Sequence, residues 1–251
     1  MTPPVRGTSD RVVYTAIAGG VDLLLPPAEI DDGWDYVCFS DEPIDCPPWR
    51  RAPIELEQPT LAREARSLKV NATTMLPDAG VSLWVDGNIQ PMASAQEIAD
   101  RYLDGHNMVV HRHPERGCLF DEAVAIVNQG KDATATVMAQ VLRYARDGLS
   151  PNTGLHATAA ILRRHTDEVR ELERTWWAEI ERGSHRDQLS LPYALQVHGM
   201  RCAEFDSDVW HGPLFRFRRH DGPNAPKKVK FPDGSRRHAV VPAPNVPPSV
   251  P

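Results

Sequence analysis

Val81-Ser82-Leu83-Trp84-Val85-Asp86-Gly87-Asn88 decides the fold of this chain. VSLWV is a short apolar run, which predicts a strand buried on both faces, and Asp-Gly-Asn stops it at once. Working outward, Arg11–Ala18 (RVVYTAIA) reads as a second buried strand, broken by Gly19-Gly20. Trp34–Ser40 reads as a third, stopped by Asp41-Glu42-Pro43. A helix is predicted between them over Thr60–Met75, with Thr60 as cap and Pro77 beyond its end. Further on, Ser94 and Glu97 form a capping box for a helix to Leu103, and Asn107–His111 reads as a short strand. Helices follow over Cys118–Gln129, Thr134–Arg146 and Gln188–Val197, with Leu155–Leu162 as a strand among them. Thr166–Arg182 gives the clearest helix, with Val169, Leu172, Trp176 and Ile180 on one stripe. Apolar strands alternating with helices predict an α/β domain around a mainly parallel central sheet flanked by helices.

The 251 residues are enough for one large domain, and no run approaches the ~18 apolar residues that span a bilayer. Met1–Arg6 holds no apolar segment of a secretory signal, so a cytoplasmic protein without a transmembrane segment is expected. Cys38, Cys46, Cys118 and Cys202 show no paired spacing, which excludes a disulfide framework or zinc ribbon. The net charge is −6, but Pro213–His238 carries eight Arg/Lys against Asp221 and Asp233, leaving 20 bases against 32 acids elsewhere. An acidic body argues against nucleic acid as a partner. The basic stretch reads first as a solvated tail, with an anionic ligand or peripheral contact with anionic lipid as the alternative. Eight of the last 31 residues are proline, so 221–251 is expected as a basic, extended tail; residues 1–10 are expected as a disordered lead-in, with the domain spanning 11–220.

Each buried strand ends in polar or glycine residues: Thr15-Ala16-Ile17-Ala18-Gly19-Gly20, Ser40-Asp41 and Asp86-Gly87-Asn88. In open parallel sheets the ligand crevice lies outside the carboxyl ends of the strands, so these clusters are expected to converge. Asp86 and Asn88 flank a glycine that lets both side-chain oxygens face one hard cation such as Mg²⁺ or Mn²⁺; a simple turn is the plainer alternative. Arg63, Arg66 and Lys69 recur every third residue, a stripe suited to clamping a diphosphate or to facing solvent. His111 and His113 share one face of a strand, a spacing a metal can use, though no third ligand adjoins them. Glu122 is either a carboxylate facing the crevice or a first-turn acid balancing its helix dipole. Arg186-Asp187-Gln188 offers donors and acceptors suited to sugar hydroxyls, although Asp187 also suits a helix cap. Trp177 is a sugar-stacking candidate, and His211, beside Gly212, is a loop histidine able to fold back over the crevice.

Taken in order, these segments carry a family resemblance. VYTAIAGG at 13–20, DYVCFSD at 35–41, REARSLK at 63–69, SLWVDGNI at 82–89, His113-Pro114 with Arg116, Gly154-Leu155 ahead of ILRRH at 161–165, and RDQLS at 186–190 resemble the glycosyltransferase-like domain of plant mucilage-related and turgor-regulation-defect proteins and their bacterial relatives. The resemblance implies a GT-A-type, Rossmann-like fold that binds a nucleotide-sugar, with UDP favoured as the nucleotide. It implies an Asp-x-Asp-like metal motif at Asp86 and Asn88, from which Asn88 departs. It puts Thr15, Ala16 and Asp41 at the base and ribose, with Ile17, Gly19, Gly87, His113 and Arg186 around the donor. Arg66 and Lys69 fall near the diphosphate, with Arg63 of the same stripe among the donor-binding residues, and His211 is a third metal ligand only by analogy with transferases of related fold. The expected reaction moves the sugar to a hydroxyl of a glycan or other acceptor, helped by Mn²⁺ or Mg²⁺. Asp187 is the first candidate for a catalytic carboxylate, Glu122 the second, and Gln188 a further support for the reacting sugar. Two rivals stay open: a metal-dependent amide or lipid hydrolase using His111 and His113, and a non-catalytic nucleotide- or sugar-binding module.

Overall fold

The structure, a computed structural model, describes residues 2–225 and the backbone of two short strands beyond them. In chain order the elements are β1 (Arg11–Ile17), β2 (Asp35–Ser40), β3 (Arg50–Pro53), α1 (Leu61–Val70), α2 (Ala72–Met75), β4 (Val81–Val85), β5 (Ile89–Pro91) and α3 (Ala95–Tyr102). They continue as β6 (Met108–Arg112), α4 (Leu119–Asn128), α5 (Thr134–Arg146), β7 (His156–Arg164), α6 (Asp167–Arg182), α7 (Asp187–His198), β8 (Ala203–Glu204), β9 (Phe215–Phe217), β10 (Lys228–Lys230) and β11 (Arg236–His238).

One sheet of seven strands, in the order β3-β2-β1-β4-β7-β6-β8, organises the chain. Its pairs β1–β2, β1–β4, β2–β3 and β6–β8 are parallel, whereas β7 runs antiparallel to both β4 and β6. The sheet is therefore mixed but mostly parallel. Reversing β7 matters for function, because it brings the start of that strand to the edge where β1 and β4 end: Asp86 N–H donates to Ala159 O at 2.8 Å. Alternation sends Tyr14, Phe39 and Trp84 into one apolar cluster with Leu172 and Trp176, and Val13, Tyr36 and Leu83 into another with Ile98 and Leu103. Helices thus cover both faces, which is why the strands read as apolar throughout.

The predicted helix over Thr60–Met75 divides in two. Thr60 caps α1 through Oγ1, which accepts from Arg63 N, but the Asn71 side chain turns back on Ser67 O and ends the helix. Ser94 caps α3 as predicted, its Oγ accepting from Glu97 N. Four strands, β3, β5, β8 and β9, carried no sequence signal: each is two to four residues long and lies at a sheet edge or in a two-stranded ribbon, and β3 and β5 end in proline. Residues 2–10 form no helix or strand, yet Val5 N–H donates to Met75 O and Thr8 and Ser9 donate to Asp35. Past residue 220, Asn224 bonds Gly19 O and Gly20 O, so the body continues a few residues into the expected tail. The extended tail and its anionic-lipid contact fall mainly outside the described residues. No helix among the described residues is long and apolar enough to cross a membrane.

Candidate active site

A cavity of about 360 Å³ opens outside the carboxyl ends of β1 and β4. Its floor comes from Ala16, Ile17, Asp86, Gly87, Asn88 and the start of β7 at Thr158. One wall is α1 with Arg66 and Lys69, and another is the N-terminus of α7 with Arg186, Asp187 and Gln188. Gly87 permits the turn, since a Cβ there would lie 3.0 Å from Asp22 Oδ2 and 3.1 Å from Ala16 O.

Lys69 is the centre of the charge network. The sheet places it: Tyr14 Oη and Arg163 Nη2 both donate to Lys69 O, at 3.0 and 2.9 Å, satisfying a carbonyl at the α1 C-terminus. Its Nζ then reaches Asp187 Oδ2 at 2.7 Å, Asp86 Oδ1 at 3.0 Å and Thr158 Oγ1 at 3.2 Å. An ammonium has three donors, and all three are used, so Lys69 orients two carboxylates rather than offering itself to a phosphate. Trp84 Nε1 also donates to Asp86 Oδ1, at 2.8 Å, and Trp176 Nε1 to Asp187 O, at 3.0 Å. Burial pushes the Asp187 carboxyl up, but Lys69, Arg66 and Arg186 outweigh it and hold the group well below the usual carboxylate range. A carboxylate so stabilised is a weak proton acceptor near neutral pH.

Of the residues the sequence singled out, Ala16, Ile17, Arg66, Lys69, Asp86, Gly87, Asn88, Arg186, Asp187 and Gln188 meet at the cavity. The others do different work. Arg63 turns away and donates to Glu181 O and Gly183 O at the end of α6, where a cation suits the helix dipole. Asp41 accepts from Gly19 N at 2.9 Å and fixes the glycine turn, at which φ is +63°. Thr15 is buried and does not line the cavity. His113 accepts at Nδ1 from Glu115 N and Arg116 N, and Glu122 accepts from Arg116 Nε at 2.6 Å; both lie off the cavity. His211 is 87% exposed, with Asp208 as its partner, and is not a lining residue. Trp177 packs against the core. His111 is buried between Phe205 and Phe215, at centroid distances of 4.7 and 5.5 Å, so it shares no ligand position with His113.

Several lining residues escaped the sequence reading: Asp22, Trp84, Lys131, Thr158, His185, Trp210, Phe217 and His220. Trp84 was visible only as strand core, and Thr158 only as part of a strand whose direction was open. Lys131 sits in an ordinary polar loop with no periodicity to mark it. The C-terminal strap brings the remainder: β9 pairs with β5, Arg218 N–H donates to Asn88 O, and Asn88 Nδ2 donates to Arg218 O, each at 2.9 Å. Trp210 and Phe217 meet edge to face at 4.5 Å, and His220 Nδ1 lies 2.8 Å from Asp22 Oδ1, whose hydrogen bond raises the imidazole above its usual value.

Few donor atoms remain open to the expected metal. Asp86 Oδ2 and the side-chain amide oxygen Oδ1 of Asn88 make no hydrogen bond among the described residues, and both are hard oxygen donors. Among those residues no three His, Cys, Asp or Glu gather to hold a metal. The set suits a divalent cation ligated largely by substrate phosphates and water, the usual habit of Mg²⁺, and does not suit a metal caged by protein.

Comparison with known proteins gives the family. Residues 60–208 match the model of the TOD1/MUCI70, glycosyltransferase-like domain. Over 139 residues, or 51% of this chain, the sequence is 29% identical to the probable hexosyltransferase MUCI70 of Arabidopsis thaliana, and covers 24% of that protein's length. Among solved structures the chain is similar to the apo form of the bifunctional glycosyltransferase WbbM, with a TM-score of 0.47 and 10% identity over 79% of this chain and 39% of that one. The family model spans more than half of the chain, from the first residue before α1 to the loop after β8, and the chain therefore belongs to the TOD1/MUCI70 glycosyltransferase-like domain family.

Proposed function

We propose that the cavity binds a nucleotide-sugar, a UDP-sugar by preference, and that the protein transfers its hexose-type sugar to a hydroxyl acceptor with a GT-A-type arrangement. The observation that carries this is the meeting of Asp86, Arg66 and Arg186-Asp187-Gln188 at one cavity beyond the strand ends, in a chain of glycosyltransferase-like family. A volume near 360 Å³ lies within the range of small-ligand sites, roughly 300–1,000 Å³.

In this reading the donor lies along the strand ends. The nucleoside belongs over Ala16 and Ile17 at the end of β1, the diphosphate over Asp86-Gly87-Asn88 at the end of β4, and the sugar toward β7 and α7. Arg66 places a planar guanidinium beside the phosphates, where negative charge grows as the glycosidic bond breaks. Asp86 and Asn88 would hold Mn²⁺ or Mg²⁺, which when bound supplies further charge neutralisation for the leaving diphosphate. Asp187 and Gln188 accept and donate to sugar hydroxyls and so fix the ring for attack. Asp187 acts in this scheme as an orienting acceptor rather than a base, because three cations hold its proton affinity down.

A second reading, a binding module without chemistry, is favoured by that same missing base and by Asn88 in place of a carboxylate. Thermal-shift measurements with UDP, other nucleoside diphosphates and UDP-sugars, with and without Mn²⁺, test the binding proposal. At 100-fold excess over Kd, UDP with Mn²⁺ is expected to stabilise the fold by about 2.7 kcal/mol. Absence of a shift with any nucleotide overturns the donor reading. Release of UDP from a UDP-sugar, abolished in Asp86→Ala, separates transfer chemistry from mere binding.

A further inference from the structure

The sugar end of the cavity carries more positive charge than a neutral sugar needs. Arg186 is half-buried: its Nη2 sits 3.4 Å from Gln188 Oε1, and its Nε is buried with no hydrogen-bond partner among the described residues. Arg66 Nε is likewise buried without a hydrogen bond, 3.8 Å from Asp187 Oδ1. Lys131, in the loop after α4, lines the same wall, and its side chain has no hydrogen bond or ion pair among the described residues. Burial first, and then the Arg186 charge, lower the pKa of its ammonium, against the opposing pull of Glu122.

The acids nearby are already engaged. Asp187 is shared between Lys69 and Arg66, and Glu122 accepts from Arg116. Buried donors left unmatched are costly, so this wall is built for an anion. It is also held rigidly. Asp132 accepts from Ser184 Oγ at 2.6 Å and His185 N at 3.1 Å, and lies 2.9 Å from His185 Nδ1. Those contacts tie the residue after Lys131 to the residue before Arg186, so the two cations are fixed relative to each other.

The diphosphate does not account for this wall under the layout proposed above. Thr158 on β7 donates to Asp187 Oδ2 at 2.8 Å, and Arg186 is the residue before Asp187, so this wall adjoins β7, the side to which the layout above assigns the transferred sugar. Building on the nucleotide-sugar reading, we infer that Lys131 and Arg186 form a carboxylate subsite, and that the transferred sugar is a hexuronate rather than a neutral hexose. The carboxylate at C5 of such a sugar provides two acceptor oxygens for a guanidinium fork and an ammonium.

Calorimetric titration of the full chain with UDP, UDP-glucose, UDP-galactose, UDP-glucuronate and UDP-galacturonate, all with Mn²⁺, tests this. At least one UDP-hexuronate is expected to bind roughly ten-fold or more tightly than its neutral counterpart. Lys131→Gln should remove most of that preference while leaving the Kd for UDP itself unchanged, and Lys131→Arg should restore it. A melting curve for each variant separates loss of the subsite from loss of the fold. Equal weakening of UDP, UDP-hexose and UDP-hexuronate by Lys131→Gln would show that the cations serve the diphosphate and overturn the inference. UDP-hexuronate binding no better than UDP-hexose in the unmodified protein overturns it too, including the case in which the carboxylate belongs to the acceptor. Failure to bind UDP at all is a different result, and it defeats the nucleotide-sugar reading itself.

Discussion

Lys69 Nζ lies 2.7 Å from Asp187 Oδ2, with each side chain only 2% exposed. The ammonium on α1 and the carboxylate at the start of α7 are therefore one buried pair that fastens two walls of the cavity. Removing one partner leaves the other charged and buried, which costs about 3–5 kcal/mol. Lys69→Met is expected to lower unfolding stability by that order, and Lys69→Met combined with Asp187→Leu to recover most of it. Denaturant titration of the two singles and the double checks this; additive losses would refute the pairing.

Asn88 gives a test of the cation. Asn88→Asp supplies the second carboxylate that the Asp-Gly-Asn segment lacks, while it removes the amide donor to Arg218 O. The lost bond is expected to cost about 1 kcal/mol of stability. In exchange, the Mn²⁺-dependent gain in UDP affinity should increase by roughly ten-fold, since hard cations respond to ligand charge. Calorimetry across a Mn²⁺ series reads both effects, and an unaltered metal dependence would remove Asp86 and Asn88 from the cation's ligands.

Trp210 and Phe217, in edge-to-face contact at 4.5 Å, form an aromatic rim on the C-terminal strap. Trp210→Ala is expected to weaken nucleotide binding by about 0.5–1.5 kcal/mol, the worth of one aromatic contact, without altering the fold. Unchanged Kd values for UDP would show that the rim does not touch the nucleotide.

His111 predicts a pH dependence of stability. Burial against Phe205 and Phe215 pushes its imidazole down to about 4, with Asp208 the opposing carboxylate. In the unfolded chain the same group takes its proton near pH 6.5, so on acidification the unfolded state binds the proton first. Stability from this residue is complete above about pH 6.5, falls as the pH drops below it, and stops falling below about pH 4. By pH 5 the loss is about 1–2 kcal/mol. His111→Phe, which keeps the ring among its aromatic neighbours, should make that part of the profile shallower, with part of the remaining slope left to half-buried His165, whose imidazole is pushed down to about 3. Urea melts between pH 4 and 7 that show an unchanged slope would refute it.

What the chain makes legible follows from locality. The strands RVVYTAI, DYVCFS and VSLWV, the Ser94 and Thr60 caps, and the Asp-Gly-Asn turn are each fixed by neighbours within a few residues, and the structure has them where the sequence places them. Their residue types already imply an α/β sheet with polar clusters at its strand ends. Which of those polar residues share a cavity is a matter of direction, and direction is long-range. Period-three spacing placed Arg63, Arg66 and Lys69 together on α1, yet Arg63 caps α6 while Lys69 is consumed by two carboxylates. The reversal of β7 brought Thr158 to the site, and the strap over Asn88 brought Trp210, Phe217 and His220 from far along the chain. A hydrophobic pattern records only how much of a segment is buried; the partner against which it is buried, and hence the charges that meet there, is chosen by packing of the whole.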